Sequence, residues 1–172
     1  MTIAYTAAGR TVFGAGAVGY GATLSGLVFV AVSINLNRVL GHPSLPTRAW
    51  QTMGLLLTPL TVGFFLFVPG QSRTVLAWEL IVSAVFFISA RLALHHQSVQ
   101  SEKATPLPLV GGLAGFVTAL VPALVAYACL AVAGATLLAQ SGGGLYWLVP
   151  SCLMATFFGL INAWALLVEV PL

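Results

Sequence analysis

Two groups of residues in this 172-residue chain combine polar chemistry with an otherwise apolar setting, and a third offers a surface for close packing. The first group is Ser33, Asn35, Asn37 and Arg38, at the end of a long apolar run. Ser33 and Asn37 are four residues apart and Asn35 and Arg38 three apart, so each pair shares a helix face. An amide in hydrocarbon must find a partner, because there is no water to replace one. The cluster therefore belongs against protein or water, as a polar vestibule or ligand site at one mouth of a bundle. The other reading sets it in the headgroup region, capping the helix end while Arg38 snorkels. The second group is Glu79, the carboxylate nearest to lying within an apolar run. Such a residue is either an ion or proton site or half of an ion pair, with Arg10 and Arg73 expected on the same side. The third is the face Ala17, Gly21 and Ser25, small residues at four-residue spacing. Small faces let helix backbones approach closely in lipid, either within the chain or around an oligomer axis or pore.

Other chemistry is excluded by what accompanies the reactive side chains. His95 and His96 are adjacent, and His42 stands far from them in sequence. No set of Cys or carboxylate residues joins them at zinc or iron spacing, so no metal is expected. Cys129 and Cys152 lie in apolar runs without CxxC spacing and read as inert thiols. There is no G-x-S-x-G, H-E-x-x-H or P-loop, and no Asp at all. No catalytic residue, no cofactor and no enzymatic activity are expected. The net charge of +3 comes from a few residues near the ends of apolar runs; without a basic cluster it gives no nucleic-acid footprint. Pro122 predicts a helix kink with Thr118 one turn before it, Gly142 to Gly144 reads as a hinge, and Gly111 and Gly115 form a G-x-x-x-G packing pair.

The elements that must position these residues are membrane-spanning helices. The chain is 59% hydrophobic and 5% charged, against about 25% charged in soluble domains. A bilayer core needs about 20 apolar residues per helix. Runs of that size fall at Val12 to Leu40, Trp50 to Val68, Val75 to Leu94, Leu107 to Leu138 and Leu145 to Val168, separated by Pro69-Gly70-Gln71, by a polar loop over His95 to Thr105 and by Ser141 to Gly144. They predict an all-α, multi-pass transmembrane bundle of about five helices, as a single domain over residues 1–172. The stretch Met1 to Arg10 lacks the pattern of a cleaved signal peptide. Arg38, Arg48, Arg91 and Lys103 fall on one side and Arg10 and Arg73 on the other. The positive-inside bias then sets the N-terminus outside and the C-terminus in the cytoplasm. Trp50, Trp78, Tyr146 and Trp147 lie near helix ends, where interfacial aromatic rings are favoured. On the cytoplasmic side, Asn162 and Glu169 share a face able to meet the Asn35 to Arg38 cluster.

The segment Phe29-Val-Ala-Val-Ser-Ile-Asn-Leu-Asn-Arg-Val-Leu40, with Pro46 to Arg48 and Leu66-Phe-Val-Pro-Gly-Gln71, resembles the first-helix signature of a group of small bacterial multi-pass membrane proteins with no established activity. The resemblance covers the first half of the chain and implies a bacterial inner-membrane location. Leu24-Ser-Gly26 followed by Val30-Ala31 is similar, more faintly, to the pore helix of store-operated calcium channels. That family carries an acidic selectivity residue where this chain has Ser33 and Ile34. The resulting expectation is a non-enzymatic helical assembly in the bilayer, a homo-oligomer with a pore or channel. The alternatives are an accessory subunit docked on a partner membrane protein, and a membrane enzyme acting on a lipid or isoprenoid.

Overall fold

A backbone shielded from water must satisfy its own hydrogen bonds, and an uncharged apolar run does so as a helix. The computed structural model describes residues 10–41, 45–104 and 120–168. Its elements are α1 (Arg10–Ile34), α2 (Leu36–Leu40), α3 (Leu45–Phe67), α4 (Arg73–Ala104), α5 (Val121–Ala139), a 3-10 turn (Gly144–Trp147) and α6 (Leu148–Val168). The described residues contain no strand, and five helical segments are long and apolar enough to cross a membrane. The fold is an all-α helical bundle. We name its two ends by the turns they carry: the Gly70 end, where α3 passes to α4 and α5 to α6, and the Asn35 end, where α1 gives way to α2.

Three sequence expectations change. The first run breaks at Asn35, which leaves helical geometry at φ −103° and ψ 21°, so α2 is a separate short helix. The polar stretch expected to loop from His95 continues α4 through Ala104, because four-residue backbone bonding does not require an apolar surface once the helix is nucleated. Pro122 sits in the first turn of α5, where its missing N–H needs no partner, so it starts the described helix and does not kink it. Thr118, Gly111 and Gly115 lie outside the described residues, as do His42 and Glu169. Pro59 stands in the interior of α3, buried midway along it.

α3 occupies the centre and touches α1, α4 and α6. The main core lies among α3, α4, α5 and α6, around Leu55, Val62, Leu76, Leu80, Tyr127, Leu130 and Leu148. Glycines set the closest approaches. A Cβ at Gly134 of α5 would stand 2.7 Å from the carbonyl oxygen of Ala77 in α4, and one at Gly63 of α3 would stand 2.7 Å from that of Gly14 in α1. Polar ties reinforce the packing. The Ser151 hydroxyl of α6 donates to the Ala126 carbonyl of α5 at 2.8 Å, and the Tyr20 hydroxyl of α1 is hydrogen-bonded to the Thr156 and Cys152 side chains of α6.

The Gly142 to Gly144 stretch is a turn held in place. All three glycines have positive φ, as does Gln140, the C-cap of α5, and the Trp147 indole donates to the Gly142 carbonyl at 2.8 Å. That bond and the 3-10 turn that follows replace the expected hinge. Trp78, Tyr146 and Trp147 are exposed at the Gly70 end, while Trp50 and Trp164 are exposed towards the Asn35 end. Exposed aromatic rings thus stand at both ends of the bundle.

Candidate functional site

Glu79 stands one to two turns into α4 at the Gly70 end and is half-buried. Its carboxylate accepts a short hydrogen bond from the Gln71 amide, eight residues earlier in the turn before the helix. Arg73 reaches across to the C-terminus of α5, where the Gln140 side-chain oxygen, with the amide turned to present it, accepts from both terminal guanidinium nitrogens at 3.0 and 2.5 Å. A cation there also meets the negative end of the α5 dipole. The partner shown for Glu79 is thus an amide, and the predicted partner Arg73 joins two helix ends. Glu79→Gln is expected to shift unfolding by no more than about 1 kcal/mol, since it exchanges one charge-assisted hydrogen bond for a neutral one near the surface. Ion flux through reconstituted protein should be unchanged; an altered flux with an intact fold would assign Glu79 to permeation.

The face Ala17, Gly21 and Ser25 is buried, together with Gly14 and Val28, and it lies on α3 within the same chain. A Cβ at Gly21 would meet the Leu60 backbone nitrogen at 2.9 Å. Close packing of this face is intrachain, which leaves no room on it for a second subunit. The opposite face of α1 is open. Val12, Gly16, Gly19, Thr23, Gly26, Val30 and Ser33 recur at alternating spacings of four and three residues, and all are exposed. A Cβ added at Gly16, Gly19 or Gly26 would meet nothing within 4 Å. The mean spacing of 3.5 residues is that of a seam between helices crossing with a left-handed supercoil.

The polar cluster divides along the same line. Ser33 and Asn37 are exposed, on the side of α1 and α2 away from α3. The Ser33 hydroxyl donates to the Phe29 carbonyl at 2.8 Å, and the half-buried Asn35 amide donates to the Ala31 carbonyl at 2.9 Å. The Ser33 hydroxyl thus bonds back one turn within α1, and the Asn35 amide reaches the Ala31 carbonyl in its last turn. The Arg38 side chain lies outside the described residues. Asn162 is half-buried in α6, and its proposed companion Glu169 is outside the described set.

A second polar group, not anticipated from the sequence, lies in the core towards the Asn35 end. Arg91 is 3% exposed, Tyr127 1%, Thr58 0% and Gln51 8%. The Tyr127 ring stacks on Phe87 of α4, with centroids 5.4 Å apart and planes 13° from parallel. Its hydroxyl is hydrogen-bonded to Thr58 and lies within the field of Arg91. The Thr58 hydroxyl hydrogen is directed at the Gly54 carbonyl, at 3.0 Å. Tyr127 must therefore donate to the Thr58 oxygen, in a relay Tyr127 to Thr58 to the α3 backbone. Tyr127→Phe is expected to cost about 1 kcal/mol, one buried hydrogen bond, in denaturant unfolding; no loss would remove the relay from the stabilising contacts. Arg91 read as a loop-edge charge because the stretch after it is hydrophilic. It is buried in the core, one turn after Phe87 on α4. The available signal was Phe87 one turn earlier, which marks the inward face of the helix.

No protein-family model, no curated protein and no solved structure matches this chain.

Proposed function

We propose that this is a non-enzymatic integral membrane protein of the bacterial inner membrane that assembles with copies of itself through the outward face of α1, forming a pore-like assembly. The carrying observation is the open face Gly16, Gly19, Thr23, Gly26, Val30 and Ser33 with free space beyond each of its glycines. In lipid, apolar area alone gives helices no reason to associate; close approach over small residues and weak interhelical hydrogen bonds supply the attraction. α1 already uses one small face on α3, and a second one has the same physical use. With α1 facing α1 around an axis, Ser33 and Asn37 would ring one mouth of the assembly. Polar side chains are favoured there because they face each other or water, and not lipid. The accessory-subunit reading uses the same face for a different protein.

The orientation belongs to the same proposal. With Arg91 in the core, the basic residues that vote for the cytoplasmic side are Arg38, Arg48 and Lys103, against Arg10 and Arg73. This supports an outside N-terminus and a cytoplasmic C-terminus, which reporter fusions at both ends would check.

Cysteine cross-linking in native membranes tests the assembly. In a Cys129→Ser, Cys152→Ser background, Gly19→Cys, Thr23→Cys and Gly26→Cys should each give covalent dimers on oxidation. Val82→Cys, on an exposed face of α4, should not. If the three α1 variants stay monomeric while cross-linking to a different membrane protein, the face serves a partner and self-assembly is wrong.

A further inference from the structure

We propose that Tyr20 of α1, with Thr156 and Cys152 of α6, forms a polar latch that fixes the rotation of α1 and so controls which of its faces is offered for self-association. The latch rests on the assembly reading above and adds its control element. α1 is the most loosely held of the five spans: 11% of its most apolar stretch is buried, against 33% to 50% in the other four. It meets α3 along one strip, Gly14, Ala17, Gly21, Ser25 and Val28. The hydroxyl in that strip, on Ser25, is buried without a hydrogen-bond partner. The Thr23 and Ser33 hydroxyls turn back to the Gly19 and Phe29 carbonyls of α1 itself, both at 2.8 Å. The Tyr20 hydroxyl instead crosses to α6. Thr156 directs its own hydrogen at the Cys152 carbonyl, at 2.8 Å. Tyr20 therefore donates to the Thr156 oxygen, and its own oxygen is left to accept from the Cys152 thiol.

Helix geometry gives this tie its consequence. At about 100° per residue, Tyr20 lies on the flank of α1 between the buried strip and the open seam of Gly16, Gly19, Thr23 and Gly26. Phe13 and Leu27 stand seven residues to either side of it, almost two full turns, so the three share one line along the helix. All three are exposed, and they make a bulky ridge between two small faces. In lipid, close approach over small residues supplies the attraction between helices. A turn of α1 by less than about 100°, one residue's worth, brings that ridge onto the seam and holds a second copy off. A contact made by small side chains, with Ser25 unbonded, gives α3 little to hold against such a turn. The bond from Tyr20 to α6 opposes it. A single interhelical hydrogen bond in lipid is strong enough to bias the rotation and weak enough to open, which is what a control point requires.

Cross-linking in a Cys129→Ser, Cys152→Ser background tests the control, because serine at position 152 keeps a donor for Tyr20. With the latch intact, oxidation should give dimers of Gly26→Cys in preference to Leu27→Cys. Tyr20→Phe and Thr156→Val each remove one hydroxyl at nearly constant size. Either should lower the ratio of Gly26→Cys to Leu27→Cys dimers about fivefold, the scale of one interhelical hydrogen bond in lipid. Thr156→Ser keeps the hydroxyl and should keep the ratio, which separates the lost bond from lost packing. The rotation itself is read without assembly, on the single chain in dilute detergent. Ser25→Cys, in the buried strip, should react with N-ethylmaleimide about fivefold faster once Tyr20→Phe has cut the latch. Unchanged reactivity overturns the latch. Faster reaction with an unchanged dimer ratio overturns its control of assembly. If Gly26→Cys forms no dimer in any background while Ser25→Cys responds, self-assembly itself is wrong and the control falls with it.

Discussion

Gly134→Ala is expected to destabilise the bundle by about 2 kcal/mol, the scale of overpacking a well-filled interior, although alanine is the better helix former. The added methyl would stand 2.6 Å from an Ile81 side-chain carbon and 2.7 Å from the Ala77 carbonyl oxygen. A side chain can turn aside, but a helix carbonyl moves only with its helix. α4 and α5 must therefore separate, and the core they share around Leu80 and Leu130 loosens with them. Gly16→Ala is the matched control. Nothing lies within 4 Å of its added carbon, so helix propensity alone acts and should stabilise the isolated chain by up to about 1 kcal/mol. Equilibrium unfolding of both variants in mixed detergent micelles reads the difference; equal stabilities would show that α4 and α5 can part without loss.

The second large effect separates the two faces of α1. Gly21→Leu should dislodge α1 from α3, because the new side chain must enter a space where the Leu60 backbone nitrogen is 2.9 Å from its first carbon. The cost is expected at the upper end of overpacking, about 3 kcal/mol. It should show as faster proteolysis of α1 and a lower unfolding midpoint, because the contact that fails is within the chain. Gly19→Leu acts in reverse. Its face is open, so the single chain should unfold as the wild type does, while the particle mass in detergent falls to that of one chain. Should Gly21→Leu change mass without changing stability, and Gly19→Leu do neither, the assembly face would be the one now assigned to α3.

Much of this architecture is legible in the residue order alone. Apolar runs separated by Pro69-Gly70-Gln71 and by Ser141 to Gly144 are too long and too uniformly apolar for barrel strands, so they satisfy their backbone groups as helices with turns between them. The second and fifth spans fall within about five residues of the expected ends, at Leu45–Phe67 and Gly144–Leu166, and the third starts within two of them, at Arg73, before its helix runs on to Ala104. Local composition determines this, and local composition is what a sequence displays directly. The exposure of Trp50, Trp78, Tyr146 and Trp147 near helix ends accords with the same local reading.

What the tertiary structure decided is which side of each helix meets which neighbour. α1 has two small faces, and in sequence Ala17, Gly21 and Ser25 look as suited to a subunit contact as Gly16, Gly19 and Gly26. Only the position of α3, with Gly63 placed to receive Gly14, assigns the first set to the interior and leaves the second open. The hydropathy signal cannot make this choice in a membrane protein, because lipid-facing and buried positions are equally apolar. For the same reason Arg91 read as a boundary charge. Its burial goes with Tyr127 and Phe87 coming together from two helices 40 residues apart in sequence. Helix formation is written within a few turns of chain, whereas the pairing of faces depends on the shapes of residues from distant helices, and in lipid no polarity contrast marks them in advance.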